Sequence, residues 1–196
     1  MSFVRRNGIV VLMALALCVP AFCDVKLPAV ISENMVLQRG IKVPIWGWAE
    51  AGEEVTVSLG KHKASAKTAA DGKWRVDIGP LEAGGPFELT VSGKNTISFK
   101  NILVGEVWVC SGQSNMEFSL KGSNNSEAEI KNANFPNIRH FGLKKKISDT
   151  PLPDCEGTWA ICSPETAASF TAAGYFFGRD LYQTLNVPIG LIHTSW

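Results

Sequence analysis

No long uninterrupted apolar run occurs in these 196 residues. The longest, Ile9 to Val19, falls short of the roughly 20 residues that a membrane-spanning helix needs, which argues against a stable membrane anchor. Nor is charge of either sign in excess: 19 Lys and Arg against 18 Asp and Glu leave a net +1. The basic residues are scattered except for Lys144-Lys145-Lys146, which reads as a solvated edge, so no footprint for nucleic acid is present. Histidine is scarce, and none of His62, His140 and His193 has a second ligand at metal-binding spacing, so no metal is expected. No glycine-rich phosphate loop is present and no cofactor is expected. Two catalytic signatures are missing as well: there is no Asp-x-x-His, and no Gly-x-Ser-x-Gly nucleophile elbow.

What the chain does have begins with an export pattern. Arg5 and Arg6 precede the apolar stretch Ile9 to Val19, followed by Pro20-Ala21-Phe22-Cys23 and the polar Asp24. Cleavage after Cys23 places Ala21 and Cys23 at the recognition positions, and a lipoprotein site is disfavoured because neither Cys18 nor Cys23 follows a small residue. Residues 1–23 hold two arginines and no acid, so their removal takes the charge from +1 to −1. The expected location is secreted or periplasmic. In that oxidising setting Cys155 and Cys162 form a candidate disulfide around Gly157-Thr158-Trp159, with the free thiols as the alternative, whereas Cys110 reads as a small core residue.

From Lys26 to about Lys100 the hydrophobic pattern has period two. Val55, Val57 and Leu59 alternate with polar residues, as do Trp74, Val76 and Ile78, then Phe87, Leu89 and Val91, then Ile97 and Phe99. Asp71-Gly72, Gly84-Gly85-Pro86 and Ser92-Gly93-Lys94-Asn95 read as connectors. A small antiparallel β-sandwich over residues 24–101 is the expectation. Trp46 and Trp48 are either core residues, the commoner case, or a sugar-stacking platform.

Beyond residue 102 the period changes. An apolar strand, Ile102 to Cys110, leads into Gly112-Gln113-Ser114-Asn115-Met116. Ser126-Glu127-Ala128-Glu129 carries a capping-box signature. Asn137 to Phe141 fits another strand. The clearest helix starts near Thr171, presents Gly174, Phe177, Leu181 and Leu185 on one face, and ends at Asn186 before the strand Pro188 to His193. Strand, helix, strand implies an α/β domain over residues 102–196 with a helix-covered parallel sheet. Two or three parallel strands are few for a doubly wound sheet, so an incomplete domain is expected.

Ser114 carries the most chemical information. A serine at a strand end, in a tight turn, exposes its hydroxyl at the sheet rim beside unpaired backbone N–H groups, as an acyl-transfer nucleophile requires. The alternative is a turn serine that caps a helix. A base must take the hydroxyl proton, and His140 and His193, both in apolar strand runs, read as packed histidines.

These residues resemble a known family. Gly105-Glu106-Val107-Trp108-Val109-Cys110-Ser111-Gly112-Gln113-Ser114-Asn115-Met116 is similar to the nucleophile block of the sialate O-acetylesterases, a branch of the SGNH-type (GDSL-like) hydrolases. Leu37-Gln38-Arg39, Val43 to Trp48, Asp71 to Trp74, Gly84 to Phe87, Ala173 to Arg179 and Val187 to Ile192 extend the likeness over nearly all of residues 24–196. The resemblance implies a flavodoxin-like three-layer fold and a serine hydrolase that removes O-acetyl groups from sugars, sialic acid or a polysaccharide such as xylan. It implies that Ser114 attacks the ester and that its own N–H helps hold the oxyanion, with Gln113, Asn115 and Trp196 near the site. The family's second oxyanion glycine follows the Ser-Trp matched by Ser195-Trp196, and its asparagine donor and Asp-x-x-His pair come later still. An inactive truncated piece, or a non-catalytic carbohydrate-binding sandwich, is the alternative reading.

Overall fold

The computed structural model describes residues 24–196, so the expected export signal, residues 1–23, lies outside the described residues. Seven strands come first: β1 (Val36–Gln38), β2 (Val43–Trp48), β3 (Glu54–Leu59), β4 (His62–Lys67), β5 (Lys73–Ile78), β6 (Gly84–Ser92) and β7 (Thr96–Cys110). β2 and β5 pair as a two-stranded antiparallel sheet, while β4, β3, β6 and β7 follow one another in an antiparallel sheet with β1 added parallel to β7. Alternation sets which residues point inward. Ile45, Val76 and Ile78 from the first sheet meet Val55, Val57, Leu59, Leu89 and Val91 from the second in one buried cluster.

Two sequence expectations fail here. Gly84-Gly85-Pro86 is not a connector but the start of β6, lying against β7. Trp46 is not core: it stands on the outer face of β2 and is 38% exposed. β4 went unread because its inward positions are only His62, Ala64 and Ala66, which leave little hydrophobic contrast.

β7 is the hinge of the architecture. Phe99 pairs with Leu89 but Ile102 pairs with Phe87, so β7 carries one extra residue, a bulge at Lys100-Asn101, where Asn101 takes a left-handed φ of 56°. Pairing with β6 ends at Val104, and from Glu106 onward β7 continues beside β10 (Ile189–His193). The boundary expected after residue 101 thus falls inside a single 15-residue strand. Asn101 also holds the two halves together: its amide donates to Asn34 at 2.7 Å, and buried Arg139 of β8 (Phe135–Leu143) donates to Asn101 at 3.2 Å and to Asn34 at 3.3 Å.

The second half is a four-stranded stretch of sheet, ordered β7, β10, β8 and β9 (Gly157–Cys162). β10 is parallel to both neighbours, and β9 closes the edge antiparallel to β8. Three helices accompany it: α1 (Ser114–Glu117), α2 (Ser126–Asn132) and α3 (Ala172–Leu185). Cys110, Ile138, Ile189 and Leu191 meet Tyr175 of α3 on one face. On the other, the segment before β1 packs in: the Trp159 indole donates to the Val30 carbonyl at 2.9 Å, and Val36 lies against Gly190.

The candidate disulfide is corrected by this geometry. Cys155 and Cys162 are free thiols. Cys155 packs against the core on the sandwich side and Cys162 is buried in the core beneath α3. Extended strand separates them by about 20 Å, several times the Cα spacing a disulfide tolerates.

α3 agrees with its sequence signals at both ends. Thr171 caps it by accepting from the Gly174 amide at 3.3 Å, and Asn186 ends it in a left-handed conformation. Its buried face differs from the expected one: Gly174, Tyr175 and Gly178 face the sheet, while Phe177 and Leu185 are about 40% exposed. A side chain at Gly178 would begin 3.0 Å from Leu191, so the glycines let the helix lie close to β10. The capping box before α2 does not form, because Ser126 is already helical and Asn125, at a left-handed φ, is the cap residue.

Candidate active site

β7 ends at Cys110, and the chain turns sharply through Ser111-Gly112 into α1. Gly112 has φ +140°, a conformation that a side chain disfavours. Gln113 is the cap residue: its carbonyl accepts from the Met116 and Glu117 amides at 2.9 and 3.0 Å. Ser114 is therefore the first residue of a helical turn, exposed, at the carboxyl end of a sheet strand. The Ser114 and Asn115 amides lie in the first turn, where no intrahelical carbonyl reaches them.

Two contacts fix this turn. Thr194 donates from its amide to the Cys110 carbonyl at 3.0 Å and Trp196 donates to the Gly112 carbonyl at 2.9 Å, prolonging the β7–β10 pairing beyond the strands. Ser195-Trp196 is thereby held beside Ser114. On the far side of α1, Ser119 pairs with Thr171, and the Ala172 amide donates to the Phe118 carbonyl at 2.8 Å, anchoring the segment to the start of α3.

The close approach of β10 depends on Gly105, another residue of the nucleophile block. A Cβ there would sit 1.9 Å from the Pro188 carbonyl oxygen. Glu106 next to it accepts from Gln38 at 3.0 Å and from Arg39 at 2.7 Å, bonds that hold its carboxyl below the usual carboxylate range. The Gln38 side-chain oxygen in turn accepts from the Val107 amide at 2.9 Å, capping the strand edge where β1 ends. Leu37-Gln38-Arg39 and Gly105-Glu106-Val107, far apart in sequence, are one structural joint.

Beneath the turn lie the two histidines. His193 Nε2 and the Ser195 hydroxyl are 2.5 Å apart. His140 is buried, stacked on Phe170 with ring centroids 4.2 Å apart, and its Nε2 has no hydrogen-bond partner among the described residues. Burial, reinforced by His193 with ring centroids 5.4 Å away, pushes the His140 pKa down to about 3. His193 is shifted the same way, chiefly by burial. Among the described residues no histidine is hydrogen-bonded to a carboxylate, and no cluster of three His, Cys, Asp or Glu could hold a metal ion. The Cys110 thiol is pushed up by burial, which keeps it protonated and unreactive.

His140 has a consequence for acid stability. Its neutral form is favoured in the fold, so the unfolded chain binds more protons at every pH between about 3 and the ordinary 6.5. Stability is full above that window and declines as pH falls through it, by up to about 1.4 kcal/mol per pH unit. Urea unfolding from pH 7 to pH 4 is expected to show this decline, and His140→Phe, which keeps a flat ring against Phe170, is expected to reduce its slope. An unchanged slope in the variant would place the acid sensitivity elsewhere.

One part of the site had no sequence signal. Lys145, read as part of a solvated edge, forms an ion pair with Glu117 of α1 and sits over the Trp196 ring, 5.7 Å from its centroid. The strand β8 ends just before it and brings it to the rim from 28 residues away.

No family model matches the chain. Sialate O-acetylesterase of Rattus norvegicus is 33% identical over 187 residues, covering 85% of this chain and 34% of the relative. That of Homo sapiens is 34% identical over 188 residues, covering 85% of this chain and 36% of the relative. This chain is a homologue of the sialate O-acetylesterases. Among solved structures, a carbohydrate acetylesterase from Xanthomonas citri superposes with a TM-score of 0.86 at 34% identity, over 88% of this chain and 40% of that one. The α/β architecture is thus shared with a carbohydrate acetylesterase. This homologue spans about a third of the length of the curated sialate O-acetylesterases it matches.

Proposed function

We propose that this chain forms part of an exported esterase that removes O-acetyl groups from sugars, with Ser114 as the nucleophile. The observation that carries the reading is an exposed serine in the first turn of a helix at the carboxyl end of a strand, in a homologue of the sialate O-acetylesterases. In this mechanism the Ser114 oxygen attacks the acetyl carbonyl carbon while a base takes the hydroxyl proton. The oxyanion rests against the Ser114 amide, and the sugar oxygen leaves with the proton as the acetyl-serine forms. Water then repeats the sequence and releases acetate.

Among the described residues neither histidine is placed to act as that base: His140 is buried and His193 is engaged with Ser195. The SGNH-like, flavodoxin-like three-layer arrangement belongs to the same proposal, as does export, supported by Arg5, Arg6 and the apolar Ile9 to Val19. Treating the natural gene product with a fluorophosphonate probe tests the assignment. Peptide mapping is expected to find the adduct on Ser114, and an adduct on a different residue refutes it.

A further inference from the structure

The loop between β8 and β9 leans over the outer face of the sandwich sheet β2–β5, and two open clefts meet beneath it at Trp46, Leu152 and Pro153. Their volumes, about 810 and 970 Å³, are in the range of small-molecule sites. Together they make one groove. Its near end includes Lys145, which touches both Trp196 and Glu117 beside Ser114; its far end reaches Trp48 and Arg75.

We propose that this groove binds a neutral oligosaccharide chain, with a pyranose ring stacked on Trp46, and so holds the glycan that carries the acetyl group. Trp46 is the partner the chemistry calls for. Its indole is exposed on the groove wall, and among the described residues no ring stacks on it. An aromatic face is negatively polarised and attracts the C–H face of a sugar, which stacks without needing a charge. The charges along the groove are largely neutralised in place: Lys144 pairs with Glu156, Lys145 with Glu117, and Arg75 with Asp77. A groove with paired charges offers hydrogen bonds rather than a net field, which suits neutral sugars better than acidic ones. The two clefts, meeting at Trp46, Leu152 and Pro153, give room for several rings, so the ligand is a chain rather than a single sugar.

This inference rests on the reading of the protein as a carbohydrate esterase, but its test does not use catalysis. Titration calorimetry of the full chain with xylohexaose is expected to show binding. Trp46→Ala is expected to weaken it by about tenfold or more, as loss of an aromatic anchor does. Trp46→Phe, which keeps a ring and guards against misfolding, is expected to stay within about threefold of the parent. Absence of xylohexaose binding, equal binding by Trp46→Ala, or tighter binding of an α2,8-linked sialic acid tetramer would each overturn the proposal. A chain that binds xylohexaose through Trp46 yet still releases acetate as Ser114→Ala would instead refute Ser114 as the nucleophile and leave the groove in place.

Discussion

Replacing Ser114 by alanine is expected to lower acetate release from O-acetylated sugars by at least about a thousandfold in the natural gene product, because the covalent route disappears with the hydroxyl. The fold should survive the change. Ser114 is exposed, its side chain caps nothing, and the hydrogen bonds of α1 run through backbone carbonyls of Gln113 and Ser114 that alanine retains. The unfolding midpoint should therefore stay within the small range typical of surface substitutions. That contrast, near-complete loss of turnover with unchanged stability, separates a chemical role from a capping role. A serine that merely ended a strand would show the reverse, a modest stability loss and ordinary turnover.

The second large effect is expected at Gly105. An added Cβ would stand 1.9 Å from the Pro188 carbonyl oxygen, which is backbone and cannot rotate away. Either β7 and β10 separate or the strand kinks. Gly105→Ala should cost about 3 kcal/mol or more, at the upper end of overpacking effects, measured as a shift in the urea midpoint. It should also disturb the site without touching it: the Trp196 bond to the Gly112 carbonyl depends on β10 running in register with β7. A change below about 0.5 kcal/mol would show that the close pairing of these strands is not what holds the Ser114 turn.

The parts of the fold that were legible in the sequence are those with local causes. Thr171 and Asn186 bracket α3 because caps are read from a few neighbouring residues. β3 and β5 are legible because each buries every second side chain. What escaped depends on contacts distant in sequence. β7 looked like two strands because Asn101 interrupts its alternation, and only the opposing β6 reveals a bulge rather than a turn. β9 was hidden behind the spacing of Cys155 and Cys162, a spacing that a loop and an extended strand share until the two sulfurs are seen in separate cores. The apolar face of α3 was misjudged because glycines contribute nothing to a hydrophobic pattern, yet they are what allows the close approach to Leu191.

The candidate site divides in the same way. Ser114 could be read directly, since a polar pentapeptide after an apolar strand announces a turn at a sheet rim. The functions of Gln38, Arg39 and Glu106 could not. Those residues stand in family-like blocks that invite a catalytic interpretation, but their mutual bonds close the edge of β7 where β1 ends, before the strand reaches the Ser114 turn. Trp46 presents the opposite case. Tryptophan at a strand position is usually core, but Trp46 falls on the face of β2 opposite buried Val43 and Ile45, the face that lines the groove.

The claim on which everything else depends is that an acetyl group passes through the Ser114 oxygen. Rapid acid quenching of the natural gene product during turnover of an isotopically labelled acetyl sugar, followed by peptide mass analysis, measures this directly. The labelled acetyl group is expected on Ser114 in the quenched enzyme and absent once substrate is exhausted. Steady release of labelled acetate with the label never found on Ser114, or found on another side chain, would contradict it.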